Sequence, residues 1–359
     1  MSNTTTETTA PSSVTLKNDK TVRAAFNYWG KTSSPEIAEL HPMFSGTSPN
    51  LKTVECTVTD IRAHGLSTFN LSDHAFQILQ HSSSLLPPQS KSIPDFHDDS
   101  IMKSTYWPEI ISLLKSQLGL RSAAAINTTV RDVSEIKKEM SSSNPRGDPK
   151  QKFFPFTFVH GDYTPPGGRG HMRAMLPTFF EDNGNAIGTT PEDQDQFQHL
   201  REAILAAEQE AMKEEGVSDP WQWSGKNYNG PRWGMLSVWR PLEIVHRDPL
   251  AVMDPKSLFE GVEKPYVALK RPYKDRPGFE KEYFSENLLP VAPEGTEHKW
   301  YWISEQTPEE VYALKLFDSE AHKQGSRVAP CAAHSAFRLP GQENQEARKS
   351  AEIRVMVIW

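Results

Sequence analysis

Short apolar runs broken by proline and glycine are the strongest constraint on what this chain can fold into. Residues 235–240, 249–253, 266–269 and 299–303 are apolar stretches of strand length, each bounded by turn-forming residues. Proline lacks an amide donor and fixes its backbone angle, so the 28 prolines punctuate such runs rather than sit inside them. This spacing points to a mainly β protein with flanking helices and a jelly-roll or sandwich core, not to repeating βαβ units. Further strands are expected over 21–28, 53–61, 123–130 and 153–160. The β-branched run 351–359 reads as a central strand. Residues 311–317 fit either a strand or a helical turn begun by Pro308 and Glu309. Helices are expected over 107–118, where Ile110, Ile111, Leu113, Leu114 and Leu118 share a face, and over 191–215, which starts acidic and is rich in helix formers. A short helix is expected over 73–80, capped by Ser72 or Asp73. Residues 81–99 and 141–152 read as loops and 1–16 as a disordered tail. One domain over 17–359 is expected, with 17–150 packing on a core of 151–359 and the 191–215 helix inserted into it or covering one sheet.

Charge and cysteine usage narrow the function classes. The net charge of −7 would repel a phosphate backbone, so nucleic acid is not an expected partner. The only two cysteines, Cys56 and Cys331, are far apart and form no Cys-x-x-Cys pair. They fit a reducing compartment and exclude a cysteine-rich zinc site. No apolar run approaches the ~20 residues needed to span a bilayer, and the polar N-terminus has no secretory core. The cytoplasm is the expected location. A homodimer is compatible with a chain of this kind.

The sharpest local feature is His160-Gly161-Asp162 at the end of an expected strand. In extended backbone, residues i and i+2 point to the same side, so an imidazole and a carboxylate can aim at one point. A distant second histidine would complete a two-histidine, one-carboxylate facial set with open metal positions, the arrangement suited to iron(II) oxygen chemistry. The plain alternative is a strand-end histidine followed by a turn-capping aspartate. His171, His199, His246, His298, His322 and His334 are the downstream candidates. His334 sits in Ala332-Ala333-His334-Ser335-Ala336-Phe337, a small-residue and aromatic setting that suits a buried strand. In the last strand Arg348, Ser350, Glu352 and Arg354 share a face. A buried arginine beside a hydroxyl is a good receptor for a carboxylate; a solvated charge is the alternative for Arg348.

The chain resembles a fungal hydroxylase/desaturase family that includes a gibberellin desaturase and the aspergillic acid cluster hydroxylase, and that is related to cephem methoxylase accessory chains. The resemblance is carried by Phe158-Val159-His160-Gly161-Asp162, Val238-Trp239-Arg240-Pro241-Leu242, Asp248-Pro249-Leu250-Ala251-Val252-Met253-Asp254, His298-Lys299-Trp300-Tyr301-Trp302 and Leu314-Lys315-Leu316-Phe317-Asp318-Ser319. Ala329-Pro330, Ala333-His334-Ser335-Ala336-Phe337 and Arg348-Lys349-Ser350-Ala351-Glu352-Ile353-Arg354 complete it. It spans roughly residues 20–359.

The resemblance implies a double-stranded β-helix (jelly-roll) oxygenase using Fe(II), with 2-oxoglutarate and O2 as cosubstrates. It would hydroxylate, desaturate or cyclise a small molecule of secondary metabolism. His160, Asp162 and His334 would bind the iron. Arg348 with Ser350 would hold the distal carboxylate of 2-oxoglutarate, Arg354 being the second choice. The 172-position spacing from Asp162 to His334 implies inserted loops and a helix. Trp239, Trp300, Tyr301 and Trp302 read as core. Lys315 with Asp318, and Arg240, read as buried ion-pairing groups, Arg240 alternatively as an anchor for a substrate carboxylate. Gly167, Gly168 and Gly170 read as a flexible lip beside the site, with His171 or Arg173 as substrate contacts. Two other functions compete: a non-catalytic jelly roll that binds a small molecule or a partner, and a zinc-dependent hydrolase.

Overall fold

Two five-stranded sheets face one another in the computed structural model, which describes residues 21–36, 39, 42, 43, 47–87, 96–135, 154–181, 191–263, 265–272 and 283–359. The first sheet contains β1 (Thr21–Trp29), β2 (Leu51–Asp60), β6 (Leu250–Met253), β9 (Trp300–Trp302) and β11 (His334–Ala336), in the order β1-β2-β9-β6-β11. The second contains β3 (Phe76–Gln80), β4 (Ser122–Arg131), β5 (Trp233–Pro241), β10 (Glu310–Asp318) and β12 (Ser350–Ile358), in the order β3-β10-β5-β12-β4. A hairpin of β7 (Tyr266–Pro272) and β8 (Tyr283–Pro290) lies apart from both ladders. Neighbours distant in sequence, and sheets covered on both faces, are the features of a jelly roll, as the turn spacing implies.

Strand alternation decides which side chains face the space between the sheets. Along β12, Ala351, Ile353, Val355 and Val357 join an outer apolar cluster, whereas Met356 and Ile358 join the inter-sheet core. Ser350, Glu352 and Arg354 share the face of Met356 and Ile358. One end of the interior is therefore polar and the other apolar. Helix α1 (Trp107–Leu118) seals the outer face with Trp107, Ile110, Ile111, Leu113 and Leu114, each worth about 1.5–3 kcal/mol of burial as an upper bound. Its periodicity predicts this helix without error, and it stops where Gly119 takes a left-handed φ of 63°. Helix α2 (Pro165–Glu181) precedes α3 (Pro191–Glu215). From α3, Phe197, Leu200 and Ile204 pack into the inter-sheet core, so this helix fills one end of the interior rather than lying outside it.

Three expectations are corrected and one open alternative is resolved. Residues 73–80 are not a helix: a single turn, Leu71–His74, is capped by Asn70 and ends at Ala75, whose φ of 60° breaks the helix, and β3 follows, paired with β10. Residues 311–317 belong to a buried strand, because β10 is paired on both sides. Residues 153–160 do not form one strand, since Phe158 bridges β1, His160 bridges His334 and Gly161 bridges Leu288. The glycines after Pro166 form no lip; they lie inside α2. A Cβ on Gly167 would lie 2.2 Å from the Glu286 carbonyl oxygen, and one on Gly168 2.7 Å from the Phe317 ring. These glycines let the helix approach β8 and β10 closely, against a helix propensity cost of about 1 kcal/mol each. Strand β11 is the buried strand that the setting of His334 suits, whereas β8 was not anticipated. The expected loop at 141–152 and tail at 1–16 lie outside the described residues.

Buried charge is organised around Asp318, which pairs with Lys315 at 2.9 Å and with Arg232 at 2.7 Å. Arg240 has no acidic partner among the described residues; it donates to Tyr106 Oη at 2.8 Å and to the carbonyls of His81 and Pro308.

Candidate metal centre

His160 and His334 face each other across a pair of backbone hydrogen bonds. His160 N donates to His334 O at 3.1 Å, and His334 N donates to His160 O at 2.8 Å. Residues paired in this way carry their side chains on the same side, and the ring centroids are 4.5 Å apart. Asp162, two residues on, returns to that side while Gly161 exchanges both backbone bonds with Leu288, at 2.7 and 2.9 Å. The Asp162 carbonyl accepts from Asn287 Nδ2 at 2.5 Å. Three separate partners thus pin a segment of only a few residues.

The three side chains present one donor atom each within 4.8 Å of one another, and all three residues are buried. Each imidazole is held by the carbonyl two residues before it: His160 Nδ1 lies 3.0 Å from Phe158 O, and His334 Nδ1 lies 3.0 Å from Ala332 O. A carbonyl can only accept, so Nδ1 carries the proton and the Nε2 lone pair is left for a cation. Burial, followed by the charge of His334, pushes the His160 imidazole down to about 3, so it is neutral at physiological pH. Burial pushes the Asp162 carboxyl up, but Arg354, His334 and His160 outweigh it and hold the group well below the usual carboxylate range. Two imidazole nitrogens and one fixed negative charge fit a divalent cation of the iron or zinc type.

Arg354 acts on the far oxygen of that carboxylate. Its Nη2 and Nε lie 3.1 and 3.3 Å from Asp162 Oδ2, leaving Oδ1 on the His160 side, 3.8 Å from Nε2. Arg354 is therefore engaged with a donor of the metal set. Arg348 is placed differently. It lines the same cleft as the three donors, its guanidinium lies 5.0 Å over the Trp239 ring, and Nη1 donates to Asp248 O at 2.5 Å. Its buried Nε has no hydrogen-bond partner among the described residues. Burial, followed by repulsion from Arg131, lowers its pKa to about 9, which leaves it charged at neutral pH. A buried cation with an open donor beside a metal-type donor set suits a carboxylate ligand.

The remaining residues singled out from sequence sort by position. Ser350 is buried at the start of β12, opposite Arg131 and Pro241. His171, on α2, is buried with its ring 5.1 Å from Tyr163, and burial followed by Arg354 pushes it down to about 3. Arg173 pairs with Glu208 on α3 at 3.0 Å and joins the two helices. Arg240 belongs to the opposite face of β5 from Trp239 and does not reach the cleft. Glu352 lines the cleft on the face already noted, and Arg131 and Phe156 line it without having been singled out. Arg131 stacks over Phe156 at 4.2 Å. The polar row Asn127, Thr129, Arg131, every second residue of β4, carried that signal in the sequence.

Comparison with known proteins gives the family. The family model described as "Oxidoreductase/YMDC permease-like domain" matches residues 26–186 and 212–358. The gibberellin cluster GA4 desaturase of Gibberella fujikuroi is 30% identical over 84% of this chain and 86% of its own length. The alpha-ketoglutarate-dependent dioxygenase tstK of Talaromyces stipitatus is 27% identical over 86% of this chain and 87% of its own. Among solved structures, the iron and alpha-ketoglutarate-dependent endoperoxidase NvfI matches with a TM-score of 0.56 at 18% identity, over 94% of this chain and 97% of that one, a likeness of fold. The chain belongs to this oxidoreductase family, that of the fungal hydroxylase/desaturases.

Proposed function

We propose that His160, Asp162 and His334 hold one Fe(II), that Arg348 receives the distal carboxylate of 2-oxoglutarate, and that the chain oxidises a small molecule as an Fe(II)/2-oxoglutarate-dependent dioxygenase. The observation that carries this reading is the convergence of two imidazoles and one carboxylate in a cleft that also holds Arg348 with an open Nε. When bound, iron and 2-oxoglutarate supply the activation of O2 and the oxidising power needed to attack an unactivated C–H bond.

The protein's part is geometric and electrostatic. The carbonyls of Phe158 and Ala332 fix the two imidazoles in the tautomer that presents Nε2. Arg354 keeps one oxygen of Asp162 occupied, which favours a single-oxygen contact to the cation and preserves open positions. Trp239 places an apolar ring against the Arg348 guanidinium, where its charge attracts a carboxylate more strongly than it would in water. Hydroxylation, desaturation and ring closure all fit this machinery and differ in the fate of the substrate after loss of hydrogen. The donor set would also suit a zinc hydrolase, but the relatives carry names of oxidative enzymes. Two buried, unpaired cysteines fit a reducing compartment, and we place the enzyme in the cytoplasm. Among the described residues no helix is long and apolar enough to cross a membrane.

Anaerobic titration of the Fe(II)-loaded protein with 2-oxoglutarate tests the reading. A visible metal-to-ligand charge-transfer band that saturates at one equivalent supports it. A protein that takes up zinc, shows no band and releases no succinate would be a hydrolase or a binding protein instead.

A further inference from the structure

A second cavity, of about 260 Å³, differs in chemistry from the metal cleft and is linked to it by one contact: the ring of its lining residue Tyr163 lies 6.0 Å from the Arg354 guanidinium of the cleft. The cleft holds Arg131, Arg348, Arg354, Asp162 and Glu352. The chamber is walled by Leu288, Leu316, Phe317, Phe259, Pro165 and Pro330, and none of its described lining residues is Asp, Glu, Lys or Arg. Both are built on the same elements. Leu314 faces the cleft, and Leu316, two residues along β10, faces the chamber. Tyr163 follows Asp162, Leu288 is hydrogen-bonded through its backbone to Gly161, and Cys331 lies three residues before His334. The chamber wall thus approaches all three donors through neighbouring backbone.

We propose that this chamber receives the substrate, and that the substrate is an uncharged, mainly hydrocarbon small molecule. The proposal rests on the oxygenase reading and adds the substrate class to it. The cavity is a little below the ~300–1,000 Å³ usual for drug-sized ligands, which suits a compact molecule. An ion entering it would lose part of its hydration and find no countercharge among the described lining residues, a cost that an apolar skeleton avoids. The nearby carboxylate of Glu286 is engaged, accepting from Thr164 Oγ1 at 2.6 Å. The polar groups on the wall are neutral. Burial, then the charge of Arg169, pushes His322 down to about 3, and burial pushes the Cys331 thiol up to about 12. His322 stacks on Phe317 at 5.3 Å, and with Tyr266 it can offer a hydrogen bond to a carbonyl or hydroxyl oxygen of the substrate.

Camphor, camphorsulfonate and bornylamine share one compact skeleton and are neutral, anionic and cationic at neutral pH. Anaerobic calorimetric titration of each into the Fe(II)- and 2-oxoglutarate-loaded protein is expected to show camphor binding at least about tenfold more tightly than either ion. Ala321→Trp, at a half-buried position in the turn Ser319–His322, should weaken camphor at least about tenfold by filling the chamber, with iron stoichiometry and the charge-transfer band unchanged. Leu316→Phe is the second filling variant and should act in the same direction. Absence of camphor binding, ions bound within threefold of it, or camphor affinity unaltered in both folded variants overturns the proposal. Repeating the titration on metal-free protein separates the two readings: selective camphor binding by a chain that loads no iron would sustain the chamber and refute the metal site.

Discussion

Replacing Arg354 by methionine keeps the apolar stem and removes the two contacts to Asp162 Oδ2 at 3.1 and 3.3 Å. Breaking a buried ion pair costs about 3–5 kcal/mol, because the partner charge is left unpaired. The Arg354 side chain keeps 29% of its accessibility and both contacts are longer than ideal, so the lower end, about 3 kcal/mol, applies to the metal-free protein. The pH dependence separates this mechanism from a packing defect. In the wild type, the carboxyl of Asp162 is depressed below its unfolded value, so its contribution is present above about pH 4 and lost as pH falls further. In the variant, burial dominates and raises the carboxyl above the unfolded value, so the folded variant gains a proton and recovers stability on acidification. The penalty should be largest at pH 7 and shrink steadily toward pH 4. Urea denaturation of both metal-free proteins at several pH values measures it. Fe(II) affinity should fall about 10–100-fold, and Arg354→Lys should recover part of both effects. A penalty that does not change with pH, or unaltered iron affinity, would refute the assigned role of this arginine.

Arg348→Ala should weaken 2-oxoglutarate by about 100-fold in calorimetry, the equivalent of one charge-assisted contact of ~3 kcal/mol, with iron content retained. Gly167→Ala should destabilise by about 1–3 kcal/mol in urea, because the added methyl meets the Glu286 carbonyl. His160, His171 and His322 are each pushed to about 3 by burial, below the unfolded value near 6.5. The unfolded chain therefore binds more protons between those limits, and the metal-free protein should lose stability progressively as pH falls from about 6.5 toward 3; a flat urea midpoint across that window would contradict the burial of these rings.

Periodicity found what local pattern controls. The apolar face of α1 and the strand lengths of β1, β2, β4, β5 and β12 were legible because each element meets a continuous partner. The same logic failed at 73–80, where one residue, Ala75, changes the backbone from helix to strand, and at 153–160, where three partners divide a strand-like run. The glycines of α2 read as a loop because helix propensity opposes them; only the nearness of β8 and β10 explains them. At the site, the i, i+2 rule put His160 and Asp162 together, and the small-residue setting of His334 marked it as buried. Which arginine is engaged with Asp162 and which keeps an open donor was not legible, since Arg348 and Arg354 share a face in the sequence. Arg240 read as an ion-pairing group, or alternatively an anchor, because its partners, the carbonyls of His81 and Pro308, leave no trace in sequence.

Metal content tests the central claim most directly. Anaerobically loaded wild-type protein should hold one iron per chain, and His334→Ala, with unchanged far-ultraviolet circular dichroism, should hold little and make no succinate. A folded His334→Ala protein that keeps full iron and full activity would contradict the assignment of the metal to these three side chains.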